Sequence, residues 1–351
     1  MRVAIDATPL TLASGGLRRY TLELSLALAQ NYPEDDFFLV SDQPFSMPCH
    51  APRNLRRGGG PRHALERRWW LWGLDRELDR LKADLFHGTD FAVPYIPRRP
   101  SVMMLHDLSP WMDPGWHSNA NRVRRRTPAL IGFGLATMIA TPSEAVRQQT
   151  IEKFRIHPRR VRAVPLAAAG CFRPLPVEPV DPPYFLYAGT LEPRKNVAAV
   201  IAAWRDVRQH DHVDLVLAGR RRADFPQLSS EPGLQLIGEV SDERLAQLLS
   251  ATLAFVYPSF YEGFGLPVLE AMQCGACVIT SRDAAITEVS AGAAIQAGSH
   301  AELVRAMSNI AADPECARAW RARGMVRAAE FSWRRTAELT HQVYEEAQQR
   351  F

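Results

Sequence analysis

The sequence lacks any run of about 18 consecutive apolar residues, the length that a transmembrane helix requires. Its N-terminus, MRVAIDATPL, has the pattern of a first β-strand and not that of a signal peptide, so we expect a cytoplasmic protein. Hydrophobic residues make up 46% and charged residues 23% of the 351 residues, which is typical of a globular enzyme with about two domains.

Cysteine is also scarce, and its five residues are an odd number that suits reduced thiols in a protein without an export signal. Cys274 and Cys277 form a CxxC pair, but the sequence has no second pair to complete a zinc site. We interpret the two as small apolar residues at a helix end and a strand start. No Asp-x-Asp pair follows a predicted strand, so the sequence predicts no bound metal and no other cofactor.

The net charge of +4 is small, but it is unevenly distributed along the chain. Residues 1–170 carry 24 Lys and Arg against 16 Asp and Glu, a net +8, whereas the remainder carries 18 against 22, a net −4. A basic N-terminal half predicts an acidic partner for that half, such as a phosphate or an anionic lipid surface. A nucleic acid is not expected, because no nucleic-acid-binding motif is present.

Short apolar runs alternate with helix-like stretches along the whole chain, six in each half. Runs of this length with helices between them are typical of buried parallel strands in βαβ units. The sequence therefore predicts an α/β fold with two doubly wound parallel sheets. The predicted strands are Val3–Ala7, Phe37–Val40, Ala83–His87, Val102–His106, Met138–Thr141, Val161–Leu166, Tyr184–Ala188, Val213–Ala218, Leu234–Ile237, Leu253–Tyr257, Cys277–Thr280 and Ala293–Ala297.

A proline-rich segment, Cys171–Pro183, separates the two halves. Proline removes backbone donors and stiffens the chain, so we interpret this segment as an extended linker. We predict domains at residues 1–170 and 171–331, followed by a helix within residues 332–351. The Gly- and Arg-rich segment Arg53–His63 is predicted to be a loop. The prolines of the linker are Pro174, Pro176, Pro179, Pro182 and Pro183.

The strongest candidate site is the segment Tyr257–Thr280, YPSFYEGFGLPVLEAMQCGACVIT. A strand runs into a loop that carries Glu262, a helix begins near Pro267, and Glu270 lies about one turn into that helix. The glycines allow close approach of the backbone to a ligand, and the helix start attracts anions. Two carboxylates beside an anion site suit the hydroxyls of a sugar or a ribose. The alternative is a helix-capping glutamate and a surface glutamate.

A second candidate segment, Tyr184–Val197, places Arg194 and Lys195 just after the first strand of the second half. Two adjacent cations at the carboxyl end of a central strand are well placed to hold a diphosphate. Arginine can do so bidentately and lysine as a point charge. The alternative is a solvated turn.

A third candidate is the glycine pair Gly15-Gly16, which follows the first predicted strand. It differs from the GxGxxG dinucleotide fingerprint, but it opens a helix whose start can contact a phosphate or a sugar. A simple turn is the alternative. The apolar face of that helix consists of Leu17, Tyr20, Leu24 and Leu28.

A fourth candidate is the pair His106 and Asp107, which ends a predicted buried strand. A doubly wound domain places its site residues at such strand ends. A histidine there can donate a hydrogen bond or take part in acid–base chemistry. The alternative is a core histidine whose hydrogen bonds are satisfied internally.

Together these segments resemble glycosyltransferase family 4, the retaining enzymes of GT-B architecture, over nearly the whole chain. The motifs that carry the resemblance are Gly15-Gly16, His106–Pro110, Thr141–Glu144, Gly189–Asn196 and Glu262–Glu270. The resemblance implies a GT-B fold with the donor cleft between two Rossmann-like domains. It also implies that the final helix packs back toward the N-terminal domain, and that a hexose is transferred from a nucleotide sugar without a metal.

The resemblance further implies roles for individual residues. His106, Asp107 and Glu262 are the catalytic residues, with Glu262 on the hydroxyls of the donor sugar. The nucleotide base lies near Arg220 and Val240. The donor-binding residues are Gly15, Gly16, Arg194, Lys195, Phe264, Gly265, Leu266 and Glu270, the last of these on the ribose.

The resemblance is closest to bacterial mannosyl- and related hexosyltransferases of polysaccharide assembly, which implies GDP-mannose as the donor and a saccharide or lipid-linked acceptor. UDP- and dTDP-sugars are open alternatives. A sugar-nucleotide 2-epimerase of the same fold is a second alternative, which would need acid–base groups around the sugar and no acceptor. A non-enzymatic nucleotide-sugar-binding protein is a third. It would not need Arg194, Lys195, Glu262 and Glu270 together.

Residues 53–82 combine many arginines with Trp69, Trp70 and Trp72. A helix through Leu71, Leu74, Leu78 and Leu81 would turn one apolar stripe to the core and leave arginines and tryptophan outside. We hypothesise that this surface contacts an anionic membrane, since cations near an anionic leaflet and interfacial tryptophan both favour binding. The alternative is a solvated arginine face with buried tryptophans. Further arginines that extend the patch are Arg122, Arg124, Arg125 and Arg126.

Overall fold

The computed structural model describes residues 1–117, 120–178, 180–223 and 225–351. The chain folds into two compact units. The N-terminal unit comprises Met1–Leu166 and Ser332–Phe351, and the C-terminal unit comprises Ala167–Phe331. Among the described residues, no helix combines the length and the apolar character needed to cross a bilayer.

The N-terminal unit is built on a parallel sheet, with helices in the connections β1–β2, β3–β4, β5–β6 and β6–β7. The strands are β1 (Arg2–Asp6), β2 (Asp36–Val40), β3 (Leu55–Arg57), β4 (Leu85–Gly88), β5 (Ser101–Met104), β6 (Met138–Thr141) and β7 (Val161–Ala163). The helices are α1 (Gly16–Asn31), α2 (Leu74–Arg80), α3 (Ser109–Met112), α4 (Asn121–Gly132) and α5 (Glu144–Phe154). The strand order is β3-β2-β1-β4-β5-β6-β7, so the chain reverses its direction of winding between β1 and β4.

One strand of this sheet was not predicted. Leu55–Arg57 pairs with β2 as β3, although the sequence assigned it to the loop Arg53–His63. Only Leu55 is buried, and the two arginines that follow it are exposed. A short, charged strand is what a protected sheet edge requires, and it carries too little hydrophobic pattern to be recognised from sequence.

The helices of this unit begin where local chemistry favours them. Gly15, with a φ of 109°, precedes α1, whose Tyr20, Leu24 and Leu28 are buried as the predicted apolar face requires. Ser143 begins α5 by accepting a hydrogen bond from the backbone N–H of Val146 at 3.2 Å. Burial of each large apolar side chain contributes about 1.5–3 kcal/mol relative to exposure.

The C-terminal unit has a second parallel sheet. Its strands are β8 (Tyr184–Ala188), β9 (Asp214–Ala218), β10 (Leu234–Gly238), β11 (Phe255–Tyr257), β12 (Val278–Thr280) and β13 (Ile295–Gln296). Its helices are α6 (Val197–Arg208), α7 (Asp242–Ala251), α8 (Leu266–Gln273), α9 (Ala284–Ser290), α10 (His300–Ala312) and α11 (Pro314–Ala328). The order β10-β9-β8-β11-β12-β13 reverses its winding between β8 and β11.

The start of the proline-rich segment is part of the C-terminal unit and is not an extended linker. Phe172 is fully buried, and Gln273 of α8 donates a hydrogen bond to its carbonyl at 2.6 Å. The backbone N–H of Leu175 donates to Ser250 Oγ at 3.1 Å. An aromatic ring in the core and satisfied backbone groups hold this stretch in place despite its prolines. Pro179 lies outside the described residues.

The last helix, α12 (Trp333–Arg350), belongs to the N-terminal unit and packs on α1, β5 and β6. Ser332 caps it by accepting a hydrogen bond from the N–H of Arg335. His341 stacks on Tyr32 with ring centroids 3.8 Å apart and contacts Asp35 at 2.8 Å. Tyr344 is fully buried against His87 of β4.

Candidate active site

The loops that carry the strongest sequence signals lie together in the C-terminal unit. The loop after β8 bears Arg194 and Lys195, and the loop after β11 bears Glu262. Because β8 and β11 are neighbours at the point where the winding reverses, both loops leave the same carboxyl edge of the sheet. A crevice for ligands forms at such a point in open α/β sheets.

Arg194, Lys195 and Glu262 form a charged cluster at this edge, and one of its contacts joins Lys195 to Glu262. The Lys195 ammonium forms a short ion pair with Glu262 Oε1. It also donates to the hydroxyl of Tyr257 at 2.6 Å, and that hydroxyl donates to Glu262 Oε1 at 3.0 Å. Lysine and glutamate are each at most 9% exposed, so the pair is largely removed from water.

Arg194 also approaches Glu262, with Nη1 at 3.7 Å from Oε1. Its guanidinium donates to the carbonyl of Tyr261 at 2.6 Å and to Glu192 Oε1 at 2.8 Å. Glu192 also accepts from Arg222 at 2.9 Å through its second oxygen. The cluster thus holds three cations and two carboxylates, a net charge of +1.

Burial and charge act in opposite directions on the titratable groups of this cluster. Burial would raise the pKa of Glu262, but the adjacent cations Lys195 and Arg194 hold that pKa below its usual range. The carboxylate is therefore ionised at neutral pH. Burial and the nearby Glu262 carboxylate raise the pKa of Tyr257 well above its ordinary value, so its hydroxyl keeps its proton.

The loop after β8 that carries Arg194 and Lys195, the cationic loop, packs closely against the loop after β9. Gly189 and Gly219 both have positive φ, and a Cβ on Gly219 would lie 2.0 Å from the carbonyl oxygen of Gly189. Only glycine permits this approach of the loops that follow β8 and β9. It keeps the segment that leads to Arg194 and Lys195 beside the end of β9.

The loop after β11 ends at the start of α8, as predicted. Gly265 precedes the helix with a φ of 98°, and Leu266 is its first residue. Phe264 is buried and meets the ring of Phe331 edge-on at 5.8 Å. Glu270 lies one turn into α8 and is 4% exposed, so it is not a surface residue. The N–H groups of Val268 and Leu269 donate to the carbonyl of Gly265, and the positive dipole end of α8 lies at the end of the loop that carries Glu262.

The two residues predicted near the nucleotide base are more peripheral. Arg220 follows β9 and is exposed, and its carbonyl accepts from the N–H of Leu191 at 2.9 Å. Val240 follows the edge strand β10 and is partly exposed. Neither residue contacts Arg194, Lys195 or Glu262 through a hydrogen bond or ion pair within the described residues.

The remaining predicted residues lie in the N-terminal unit. Gly15 and Gly16 begin α1 beyond the end of β1. His106 and Asp107 follow β5, and Asp107 accepts from the backbone N–H and the hydroxyl of Ser109 at 2.8 and 2.6 Å. Asp107 therefore anchors the start of α3.

His106 is fixed in one tautomer by its surroundings. Its Nε2 donates to the carbonyl of Thr89 at 2.7 Å, and burial lowers the pKa of the imidazole. The ring is therefore neutral at neutral pH, with Nδ1 as a hydrogen-bond acceptor. Tyr20 of α1 meets it edge-on with centroids 4.9 Å apart.

Several buried polar groups at these strand ends were missed by sequence reasoning. In the C-terminal unit they are Tyr257, Glu192 and the half-buried Arg222, and the available signal was their position at or just after the ends of β11, β8 and β9. In the N-terminal unit, burial raises the pKa of Asp6 and of Asp90 to about 6 each. Polar residues at the carboxyl ends of β1 and β4 were the available signal.

A metal site is not evident among the residues that the structure describes, where no group of three His, Cys, Asp or Glu side chains converges. Cys274 and Cys277 are buried free thiols at the end of α8 and just before β12. Burial raises the pKa of each thiol to about 12, so both stay protonated and poorly suited to metal binding.

Two family comparisons cover most of the chain. The family described as "Glycosyltransferase Family 4" matches residues 14–169, and the family described as "Glycosyl transferases group 1" matches residues 173–326. The chain belongs to the glycosyltransferases that combine these two domains. The predicted family, the enzyme class and the fold of two Rossmann-like parallel-sheet domains are thereby confirmed.

Individual relatives agree with this family, and solved structures agree with the fold. O-antigen chain mannosyltransferase B of Escherichia coli is 29% identical over 98% of this chain and 99% of its own length. The MMP alpha-(1->4)-mannosyltransferase of Mycolicibacterium hassiacum is 29% identical over 66% of this chain and 57% of its own. Sucrose-phosphate synthase of Thermosynechococcus elongatus has the same fold, with a TM-score of 0.72, 20% identity and 98% of each chain covered. Anabaena HepE, in a complex with UDP and glucose, has a TM-score of 0.70 at 16% identity, with 98% of this chain and 99% of its own covered.

Proposed function

We propose that this glycosyltransferase transfers mannose from GDP-mannose, with retention of configuration, to a saccharide or lipid-linked acceptor in bacterial polysaccharide assembly. The observation that carries the proposal is the buried cluster of Arg194, Lys195 and Glu262 at the carboxyl edge of the C-terminal sheet. It joins a cationic diphosphate loop to a sugar-binding carboxylate. The choice of mannose rests on full-length similarity to a relative named as a mannosyltransferase.

The diphosphate leaving group needs charge stabilisation as the glycosidic bond breaks. Arg194 and Lys195 supply two preorganised cations, and the start of α8 supplies a positive dipole end. Preorganised electrostatics of this kind can replace a divalent metal, which is why we propose a metal-independent reaction. The acceptor attacks from the face that the nucleotide leaves, and the departing phosphate takes its proton.

The donor sugar is held by groups at the same strand end. Glu262 accepts hydrogen bonds from sugar hydroxyls, helped by the backbone of Phe264, Gly265 and Leu266, and Glu270 binds the ribose. The guanine lies toward Arg220 and Val240. Residues of the N-terminal unit proposed to act are His106, Asp107, Gly15 and Gly16, and the neutral His106 contacts the transferred sugar as an acceptor through Nδ1.

A nucleotide panel tests the proposed donor. Thermal unfolding is measured with GDP, UDP, dTDP and ADP, since a ligand at 100 times its dissociation constant stabilises by about 2.7 kcal/mol. GDP is expected to give the largest increase in Tm. Incubation with GDP-mannose and a mannose oligosaccharide then follows, with the anomeric configuration of the product read by proton NMR. An α-linked product indicates retention. Preference for UDP, a β-linked product or epimerised nucleotide sugar in the absence of acceptor would each contradict the proposal.

We also propose that the N-terminal unit docks on an anionic membrane through an arginine–tryptophan surface. We define this surface as the exposed residues of segment 62–76 together with α4 and Phe133. Leu65, Trp72 and Phe133 are 75%, 46% and 81% exposed, and Arg126 of α4 lies over the ring of Trp70 at 5.7 Å. The exposed arginines around them are Arg62, Arg67, Arg68, Arg76, Arg122 and Arg125.

The structure refines which side chains of this segment face outward. Leu74 and Leu78 are buried with Phe86, as the predicted stripe requires, but Trp69 joins the same core. Residues Trp69–Gly73 form a π-helical turn before α2, and its wider turn brings Trp69 inward while Trp72 stays exposed. An exposed tryptophan among arginines is suited to the membrane interface.

Liposome co-sedimentation tests the docking proposal. Binding should require anionic lipid and weaken as salt shortens the screening length to ~8 Å. The double variant Leu65→Ser/Trp72→Ser should lose binding. The variant Val326→Ser changes an equally exposed apolar residue of the C-terminal unit, 71% exposed, and should bind like the parent protein. Equal binding to neutral liposomes would refute the proposal.

A further inference from the structure

Tyr257 occupies a fixed position between the two charged groups of the candidate active site. It is the last residue of β11 and is fully buried. Its ring stacks on Tyr187 of β8 with centroids 5.8 Å apart and on Phe255 with centroids 5.6 Å apart. Full burial and packing against these two rings keep the Tyr257 hydroxyl at the strand end.

The Tyr257 hydroxyl hydrogen-bonds to both charged side chains, Lys195 and Glu262, at once. It accepts a hydrogen bond from the Lys195 ammonium at 2.6 Å and donates its proton to Glu262 Oε1 at 3.0 Å. The Lys195 nitrogen also lies 5.1 Å from the centre of the ring. Since the phenol keeps its proton well above neutral pH, it is a donor to the carboxylate over the whole working range of an enzyme.

We propose that Tyr257 is a positioning residue of the donor site. Its hydroxyl keeps Lys195 and Glu262 in fixed positions, so that Lys195 can contact the diphosphate and Glu262 the sugar hydroxyls. This inference deepens the proposed function and rests on it for the identity of the donor. Such a positioning residue is needed for an electrostatic reason. A diphosphate that binds Lys195 competes with Glu262 for the ammonium, and a buried carboxylate that loses its cation is strongly destabilised.

The geometry gives Glu262 a remaining partner when that competition occurs. The hydroxyl of Tyr257 continues to donate to Oε1, and Arg194 Nη1 is 3.7 Å from the same oxygen. Lys195 can therefore turn toward the phosphates while Glu262 remains ionised and oriented toward sugar hydroxyls. Among the described residues, Tyr257 is the side chain that hydrogen-bonds to both Lys195 and Glu262.

The test compares Tyr257→Phe with a matched control, Tyr187→Phe. Each variant removes one hydroxyl from a stacked tyrosine at a neighbouring strand end, but the Tyr187 hydroxyl donates to the carbonyl of Thr190 at 3.0 Å and contacts neither charged group. With GDP-mannose as donor, Tyr257→Phe should lower kcat/KM about 10- to 100-fold, the effect of losing a hydrogen bond to a charged group. The acid limb of its pH profile should move to higher pH, because Glu262 loses a donor. Tyr187→Phe should stay within about twofold of the parent.

A second readout does not depend on turnover. The chain contains three lysines, and Lys82 and Lys153 are exposed internal standards. Trace acetylation followed by peptide mass spectrometry measures the reactivity of each lysine. In Tyr257→Phe the Lys195 ammonium loses an acceptor, so its labelling should rise about tenfold relative to the two standards. In Tyr187→Phe the ratio should not change.

The outcomes separate this inference from the proposed function. Equal Lys195 labelling in the two variants, or equal loss of kcat/KM in both, would overturn the positioning role of Tyr257. In the parent protein, bound GDP should reduce the acetylation of Lys195. If GDP does not reduce it and GDP-mannose is not turned over, the proposed donor is contradicted instead. In that case the labelling ratio still decides whether Tyr257 holds Lys195.

Discussion

His87 should make the N-terminal unit lose stability in acid by an amount that follows from its surroundings. The imidazole at the end of β4 is fully buried between two phenols, with Nε2 at 3.2 Å from the Tyr20 hydroxyl and Nδ1 at 2.6 Å from the Tyr344 hydroxyl. Burial lowers its pKa to about 3. The ring therefore stays neutral in the folded protein at any pH above that value.

The sign and the size of the effect come from linkage. In the unfolded chain the imidazole has a pKa of about 6.5 and takes up a proton that the folded protein does not bind. The free energy of unfolding therefore falls as the pH falls from about 6.5 to about 3. For the step from pH 8 to pH 5, this one group accounts for a loss of about 2 kcal/mol.

The assay compares the protein with His87→Gln, which retains one donor and one acceptor but does not titrate in this range. Urea unfolding is followed by tryptophan fluorescence, because six of the eight tryptophans lie in the N-terminal unit. Asp6 and Asp90, whose pKa values are raised to about 6, act in the opposite direction, so only the difference between the two proteins isolates His87. Between pH 8 and pH 5 the parent should lose about 2 kcal/mol more than the variant.

His63→Gln changes an exposed histidine of the same unit and controls for the loss of an imidazole outside the core. If His87→Gln and the parent lose the same free energy between pH 8 and pH 5, the imidazole is not held neutral by burial, and the reasoning fails.

Three further predictions concern the C-terminal unit and the reaction. Activity should survive excess EDTA, since Arg194 and Lys195 supply the charge stabilisation; loss that returns on addition of Mg²⁺ or Mn²⁺ would contradict this. Glu270→Ala should weaken the binding of GDP in calorimetry, whereas Glu262→Ala should leave GDP affinity nearly unchanged and reduce turnover; equal losses of affinity would refute the separate roles. Gly219→Ala should lower the free energy of unfolding by about 2 kcal/mol or more, because its Cβ would lie 2.0 Å from a carbonyl oxygen. The control Gly292→Ala has φ 80° and open space around its Cβ, so it should lower that free energy by about 1 kcal/mol from backbone strain alone. Similar losses in thermal or urea unfolding would show that the close approach is not what requires glycine.

Much of the fold follows from local pattern. All twelve predicted strands are present in some form, because a buried parallel strand needs a continuous apolar run that is visible in sequence. The boundaries moved by a few residues, as in β11, which is Phe255–Tyr257 where Leu253–Tyr257 was predicted. The edge strand β3 was missed because its arginines face solvent.

The residue types of the candidate site could be predicted from sequence, but the contacts between them could not. Residue type and position just after a strand indicated Arg194, Lys195 and Glu262, and the helix that follows indicated Glu270, since open α/β sheets bind ligands at the carboxyl ends of their strands. What sequence could not indicate is their pairing. Lys195 and Glu262 are 67 residues apart, and only the adjacency of β8 and β11 brings them into contact.

The sequence by itself therefore determined the two-domain α/β organisation, the helix starts and the chemical types available at each strand end. These depend on hydrophobic period, capping and glycine, which act over a few residues. The tertiary structure decided that Tyr257 links Lys195 to Glu262, and that Tyr344 of the last helix reaches His87 across 257 residues. It also decided the protonation of His87, His106 and Glu262. Burial and neighbouring charge set those states, and both are properties of the packed sheet rather than of any short segment.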